Sequence, residues 1–268
     1  MSNIRRRTAL VTGASAGIGR AFAHELARRD YDLVLTARRR ERLHEVRREI
    51  LAERDLKIEV IAADLADPSA PQALFDEIAR LGIEIDVLVN NAGYGISTKY
   101  EKTTWEQQVA FIQVMVTAVA HLTHLFLPGM TRRGWGRIVN VASLAGLVYG
   151  APGATLYAAA KSFVIKFTES LSLELTGTAV HATAVCPGFT FSEFHDVNGM
   201  RSRVSKLPSV MWLDADSVVR QALDAADGGR AVVVSGAVNT AIAAAMKHMP
   251  ARLARGIVGR QARRFRQV

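Results

Sequence analysis

Short apolar runs alternate with helical stretches along this chain, and that alternation leaves little freedom in the fold it can adopt. Runs readable as strands lie at Thr8–Thr12, Asp32–Ala37, Lys57–Ala62, Ile85–Val89, Arg137–Val141, His181–Val185 and Ala231–Ser235. Between them, apolar residues recur at helical spacing over Gly17–Arg29, Arg40–Glu53, Ser69–Arg80, Thr104–Leu127, Ala154–Leu175 and Ala215–Ala226. Continuous apolar strands need cover on both faces, which intervening helices supply. The pattern predicts an α/β fold: a Rossmann-like, doubly wound sheet of about seven parallel strands with helices on both faces. A length of 268 residues fits this in one domain, expected over 1–238, with a basic amphipathic extension over 239–268.

The first strand runs into Thr12-Gly13-Ala14-Ser15-Ala16-Gly17-Ile18-Gly19. Glycine permits a tight turn and close approach of backbone to ligand, and free amides opening the next helix attract a pyrophosphate. The spacing is G-x-x-x-G-x-G rather than G-x-G-x-x-G, yet a plain turn into a helix accounts for one glycine, not three. The loop therefore predicts dinucleotide binding. A carboxylate ending the second strand would hold the adenosine ribose, whereas an arginine would take a 2′-phosphate. Here the strand ends Thr36-Ala37-Arg38-Arg39, so NADP is favoured over NAD, with Arg38 the expected phosphate partner. The plainer alternative is that Arg38–Arg40 only open a charged helix.

A third pattern is Tyr157-Ala-Ala-Ala-Lys161, with Ser143 fourteen residues upstream of the tyrosine. Positions four apart share one helix face, so phenol and ammonium point into the same space. A neighbouring cation stabilises phenolate and draws down a pKa of about 10, allowing proton exchange with an alcohol oxygen near neutral pH.

With these residues assembled, the chain resembles the short-chain dehydrogenase/reductase family over residues 8 to about 236. Thr12–Gly19 is similar to the family's TGxxxGxG motif, Asn90-Asn91-Ala92-Gly93 to its NNAG motif, and Asp64-Leu65 to its adenine-holding position. Ser143, Tyr157 and Lys161 match its active-site residues, and Pro187-Gly188-Phe189-Thr190-Phe191-Ser192 matches PGxxxT with Ser192 replacing threonine. The resemblance implies cofactor contacts from Gly13, Ser15, Gly17, Ile18, Gly19, Arg38, Asp64, Leu65, Asn91, Ala92, Gly93, Tyr157, Lys161, Pro187, Gly188, Phe189 and Ser192, and no metal. It also implies that Ser143 bonds the substrate oxygen, Tyr157 is the acid or base, and Lys161 tunes the tyrosine and binds the nicotinamide ribose. One position departs from the pattern. Most members carry an asparagine that connects the lysine to solvent through a water, and aligning Phe111–Ala118 puts Met115 there. Methionine is no strong hydrogen-bond partner, and Gln113, two positions away, belongs to another helix face.

The net charge of +9 is not spread as a nucleic-acid face would require. Lys247–Val268 holds seven Lys and Arg and no acidic residue, leaving 27 basic against 25 acidic residues elsewhere. That tail is expected to pack as an extension, with contact to an anionic membrane as the alternative. No run of spanning length stands out, and the first strand follows the start too closely for a secretory signal. Cys186, the one cysteine, reads as a small buried hydrophobe, and a reducing cytoplasm is the expected location. The long helices over 104–127 and 154–175 predict a homodimer or homotetramer. Phe191, Phe194, Met200, Val204, Met211 and Trp212, with Tyr94 and Tyr149 opposite, predict an apolar substrate lining, and His195 is the one histidine expected nearby. The expected activity is NADP(H)-dependent interconversion of an apolar ketone and secondary alcohol. A 3-oxoacyl-thioester reductase, or a low-turnover cofactor-binding regulator or scaffold, is the alternative.

Overall fold

The computed structural model describes residues 5–96, 98–150, 155–190, 212–250, 252–254 and 256. Strands β1 (Thr8–Thr12), β2 (Asp32–Ala37), β3 (Ile58–Ala62), β4 (Val87–Asn90), β5 (Gly136–Val141) and β6 (Val180–Cys186) lie in one parallel sheet. Two short strands, β7 (Phe189–Thr190) and β8 (Trp212–Leu213), pair with each other, and β9 (Val232–Val234) completes the main sheet. Its order is β3-β2-β1-β4-β5-β6-β9. Seven parallel strands were read from the sequence and seven are present; the β7–β8 pair was not read.

Side chains explain why both faces of this sheet are covered. Successive strand residues point to opposite faces. Ala9, Val11, Leu33, Leu35, Val87, Val89, Val139 and Val141 enter one core cluster; the intervening Leu10, Val34, Leu88 and Ile138 enter another. Helices α1 (Gly17–Arg28) and α2 (Arg40–Leu51) close the first face with Phe22, Leu26, Leu43, Val46 and Ile50. The second is closed by α3 (Ala70–Arg80) and by the long helical stretch after β4, with Leu74, Ile78, Leu122 and Phe126.

That stretch differs from its sequence reading in two ways. It runs as α4 (Trp105–Ile112), a π-helical segment Gln113–Thr117 and α5 (Ala118–Arg133), so it continues past Leu127, the expected end, and through Pro128. Met130 is fully buried and fills the space that the missing side chain of Gly136 leaves; this packing holds the extra turns, which stop at Gly134 with φ 67°. By length and composition, Trp105–Arg133 is also apolar enough to cross a bilayer, contrary to the sequence reading, but half of its apolar window is buried inside the fold. Beyond it, α6 (Thr155–Glu174) leads into β6, α7 (Ala215–Asp227) packs on α1, and α8 (Ala237–His248) follows β9.

The chain turns in opposite directions from β1 toward β2 and from β4 toward β5. The sheet order reverses between β1 and β4, where ligands of such sheets bind, beyond the carboxyl ends of the strands. The glycine loop follows β1 and Asn90–Gly93 ends β4 and follows it, so both motifs meet at that crevice.

Candidate active site

The β1–α1 turn is built for a close ligand. Gly13 and Gly17 have φ of 66° and 55°, a region that favours glycine. A Cβ on Gly19 would come within 2.2 Å of the Gly13 carbonyl oxygen and 2.4 Å of Asn91 Nδ2. The helix opens at Ala16 without a side-chain cap and without an acidic residue in its first turn, leaving its amides for an anion. Asn91 steadies the turn by donating from Nδ2 to the carbonyls of Thr12 at 2.9 Å and Gly13 at 3.3 Å. Thr12, not singled out from the sequence, accepts through Oγ1 from the amides of Asn91 and Ala92 and donates to Val89 O at 3.2 Å. These residues fit a dinucleotide pyrophosphate.

At the end of β2, Arg38 and Arg39 are exposed, and Arg39 Nη2 donates to Ser15 Oγ at 3.3 Å. Asp64 is exposed and accepts from the Ala66 amide, beside the buried Leu65. Tyr94, expected on the substrate wall, packs edge-to-face on Phe111 with ring centroids 5.4 Å apart. Burial raises its pKa, and the charges of Arg38 and Asp64 act on its hydroxyl in opposite senses.

Ser143 sits where β5 passes into a 3₁₀ turn, Leu144–Gly146. Its Oγ accepts from the Ala145 amide at 3.1 Å, so its own proton is available to another oxygen. Two contacts press the turn onto α6. Ser162 Oγ donates to Gly146 O at 2.8 Å, and a Cβ on Gly146 would meet the Lys161 backbone at 2.7 Å. Tyr157 and Lys161 stand one turn apart on α6, with Lys161 Nζ 5.8 Å from the centre of the Tyr157 ring. Lys161 is buried, donates to Val141 O at 2.7 Å, and is pushed by burial to a pKa of about 8. Cys186 is fully buried with its thiol pushed up to about 12, again by burial. Met115, 1% exposed, lies in the π-helical segment and packs in one apolar cluster with Phe111, Ala160, Leu156 and Tyr157.

Beneath the site runs a buried amide–hydroxyl chain that sequence reasoning missed. Asn90 Nδ2 donates to Asn140 Oδ1 at 2.8 Å, and Asn140 Nδ2 to Thr168 Oγ1 at 2.9 Å, tying β4 and β5 to α6. On the far side, Leu144 N donates to Pro187 O at 2.9 Å. Gly188 faces the buried Asn239 of α8, whose carboxamide would lie 2.5 Å from a Cβ at 188. Phe189 packs against Trp212 at 5.9 Å. Ser192, His195, Phe191, Phe194, Met200, Val204 and Met211 lie outside the described residues. A small, open-mouthed depression with room for about one water-sized group borders Tyr157, lined also by Ile96, Thr98, Tyr100, Gln108, Phe111, Thr155 and Leu156. Most of that wall had no signal in the sequence; Tyr94 and Tyr149 are not part of it.

Fold and loop together define a dinucleotide-binding protein of Rossmann type. A family model, short chain dehydrogenase, matches residues 7–199, and the chain belongs to the short-chain dehydrogenase/reductase family. Sulfoacetaldehyde reductase 2 of Chromohalobacter salexigens is 36% identical over 190 residues, covering 69% of this chain and 73% of its own. A short-chain dehydrogenase from Sphingobium yanoikuyae, solved in complex with NADPH, is 32% identical with a TM-score of 0.76, covering 91% of this chain and 96% of that one. A short-chain dehydrogenase/reductase from Burkholderia phymatum, solved in complex with NAD, is 25% identical with a TM-score of 0.79 over 91% and 94%.

Proposed function

We propose that this protein interconverts a ketone and a secondary alcohol with NADP(H), using Tyr157 as acid and base. The reading rests on one arrangement: Lys161 held on Val141 O, 5.8 Å from the Tyr157 ring, with Ser143 pressed against the same helix through Gly146. A bound nicotinamide supplies or accepts the hydride. Ser143 donates its free proton to the substrate oxygen and so polarises the carbonyl. Tyr157 gives that oxygen a proton as alkoxide character develops, and the Lys161 ammonium stabilises the phenolate left behind. Phe111, Leu156 and Met115 pack against Tyr157 on its apolar side.

NADP is supported by the absence of a carboxylate at the end of β2 and by the Arg38, Arg39 and Ser15 group beside it. Related structures hold either dinucleotide, so the residues, not the family, carry this preference. Exposed Trp105 and Val109 on α4 support assembly as a homodimer or homotetramer.

The test follows nicotinamide absorbance over a panel of ketones and alcohols. Tyr157→Phe is expected to lower kcat by roughly 100- to 10,000-fold, the usual contribution of general acid–base catalysis. Undiminished turnover in that variant excludes the proposed proton transfer. Titrating NADPH and NADH against wild type and Arg38→Ala checks the cofactor: only NADPH binding should weaken.

A further inference from the structure

Helix α8 is apolar around most of its circumference, yet only Asn239 of its 12 residues is buried. Asn239 faces inward, against Gly188. Ala237, Val238, Ala241, Ala244 and Ala245 lie on the outer side and are exposed. The other polar residues of the helix, Thr240, Lys247 and His248, are too few to make a polar face. A helix of this kind is ordinarily covered by protein or lipid. Just past it, Pro250 O accepts from the amides of Leu253 and Ala254 at 3.0 and 3.1 Å. That turn buries Ala254 and leaves Leu253 62% exposed, beside the exposed Arg252.

Charge selects what covers this surface. No Asp or Glu follows Asp227, whereas Lys247–Val268 holds seven Lys and Arg. Two copies of the chain meeting on α8 would set those cations against one another. A nucleic acid would match the charge but leave Val238, Leu253 and the alanines uncovered. An anionic bilayer meets both requirements: its headgroups pair with Lys247 and Arg252, and the apolar side chains enter the headgroup boundary.

We propose that α8 and the turn at Leu253 dock this protein on the surface of an anionic membrane. The docking does not depend on the ketone–alcohol reading. Alanine and valine bury little area, so charge supplies most of the attraction and salt weakens it.

The experiment sediments the full chain with vesicles of phosphatidylcholine, alone or with about one third phosphatidylglycerol, at low and high salt. At low salt the anionic vesicles should bind at least about tenfold more protein than the neutral ones, and high salt should release it. Lys247→Glu combined with Arg252→Glu should weaken binding about tenfold or more. Val238→Asn combined with Leu253→Asn keeps every charge and should still weaken it roughly threefold or more. All four positions are exposed, so circular dichroism should match wild type in both variants. Absence of binding to anionic vesicles at low salt overturns the proposal. So does unchanged vesicle binding by the Asn pair, since attraction to any polyanion then suffices; equal affinity for duplex DNA, indifferent to that pair, has the same meaning. A lipid-free dimer that the Asn pair abolishes while vesicle binding persists assigns α8 to a second copy and overturns it as well.

Discussion

Replacing Lys161 by methionine should stabilise the protein at neutral pH while removing the ammonium on which the proposed proton transfer relies. Lys161 is buried, and burial lowers its pKa from 10.5 to about 8. A gap of ~2.5 between folded and unfolded values, at about 1.4 kcal/mol per unit, costs folding ~3 kcal/mol. The sign follows from proton counting. Below pH 8 both states hold the proton and the cost is present in full. Between pH 8 and 10.5 the folded protein has released it while the unfolded chain has not, so stability rises with pH. Above 10.5 the cost is gone. Methionine keeps most of the aliphatic length without the charge, and loses the bond to Val141 O, worth about 1 kcal/mol. The variant should therefore gain ~2 kcal/mol at pH 7 and no advantage near pH 10.5. Urea unfolding of both proteins at pH 7, 8, 9 and 10, at one protein concentration so that assembly affects both alike, measures the difference. Parallel pH dependence, or a variant less stable at pH 7, would refute the claim that the ammonium is held against its solvation preference.

Gly19→Ala puts a methyl group 2.2 Å from the Gly13 carbonyl oxygen, so the turn must open; nucleotide binding, followed by quenching of intrinsic fluorescence, should be lost while the circular dichroism of the sheet is retained. Met115→Asn brings an amide into the apolar cluster of Phe111, Ala160 and Tyr157 and should cost about 2 to 3 kcal/mol in urea unfolding. Met115→Leu should cost less than about 1.5 kcal/mol, since it conserves volume and polarity.

Strands and glycine loop were legible because their signals are local. A short apolar run reads as a buried strand whatever surrounds it, and Thr8–Thr12 and Asp32–Ala37 are observed with those same bounds. Helical spacing placed Tyr157 and Lys161 on one face, and they stand one turn apart on α6. What escaped depends on contacts between distant segments. The helix runs beyond Leu127 because Met130 fills the space at Gly136, a contact between distant segments. The π-helical segment around Met115 has no compositional mark, because one extra residue in a turn leaves the apolar pattern nearly intact. Thr98, Tyr100 and Gln108 come from a loop, a 3₁₀ turn and the first turn of α4, with no shared periodicity to group them as one wall. The Asn90–Asn140–Thr168 chain likewise joins three elements, and Asn140 and Thr168 would each read as ordinary polar residues.

The contact between Gly188 and Asn239 bears on how such molecules can be cut and recombined. The family match ends at residue 199, yet Asn239 fills the space above the loop after β6 and is held there by its own bond to Ser235 O at 2.8 Å. A chain stopping before Asn239 would keep every strand of the sheet and lose the side chain that backs Gly188. In chimeras that exchange C-terminal segments between relatives, positions 188 and 239 must therefore travel as a pair: any side chain at 188 requires something smaller than asparagine at 239.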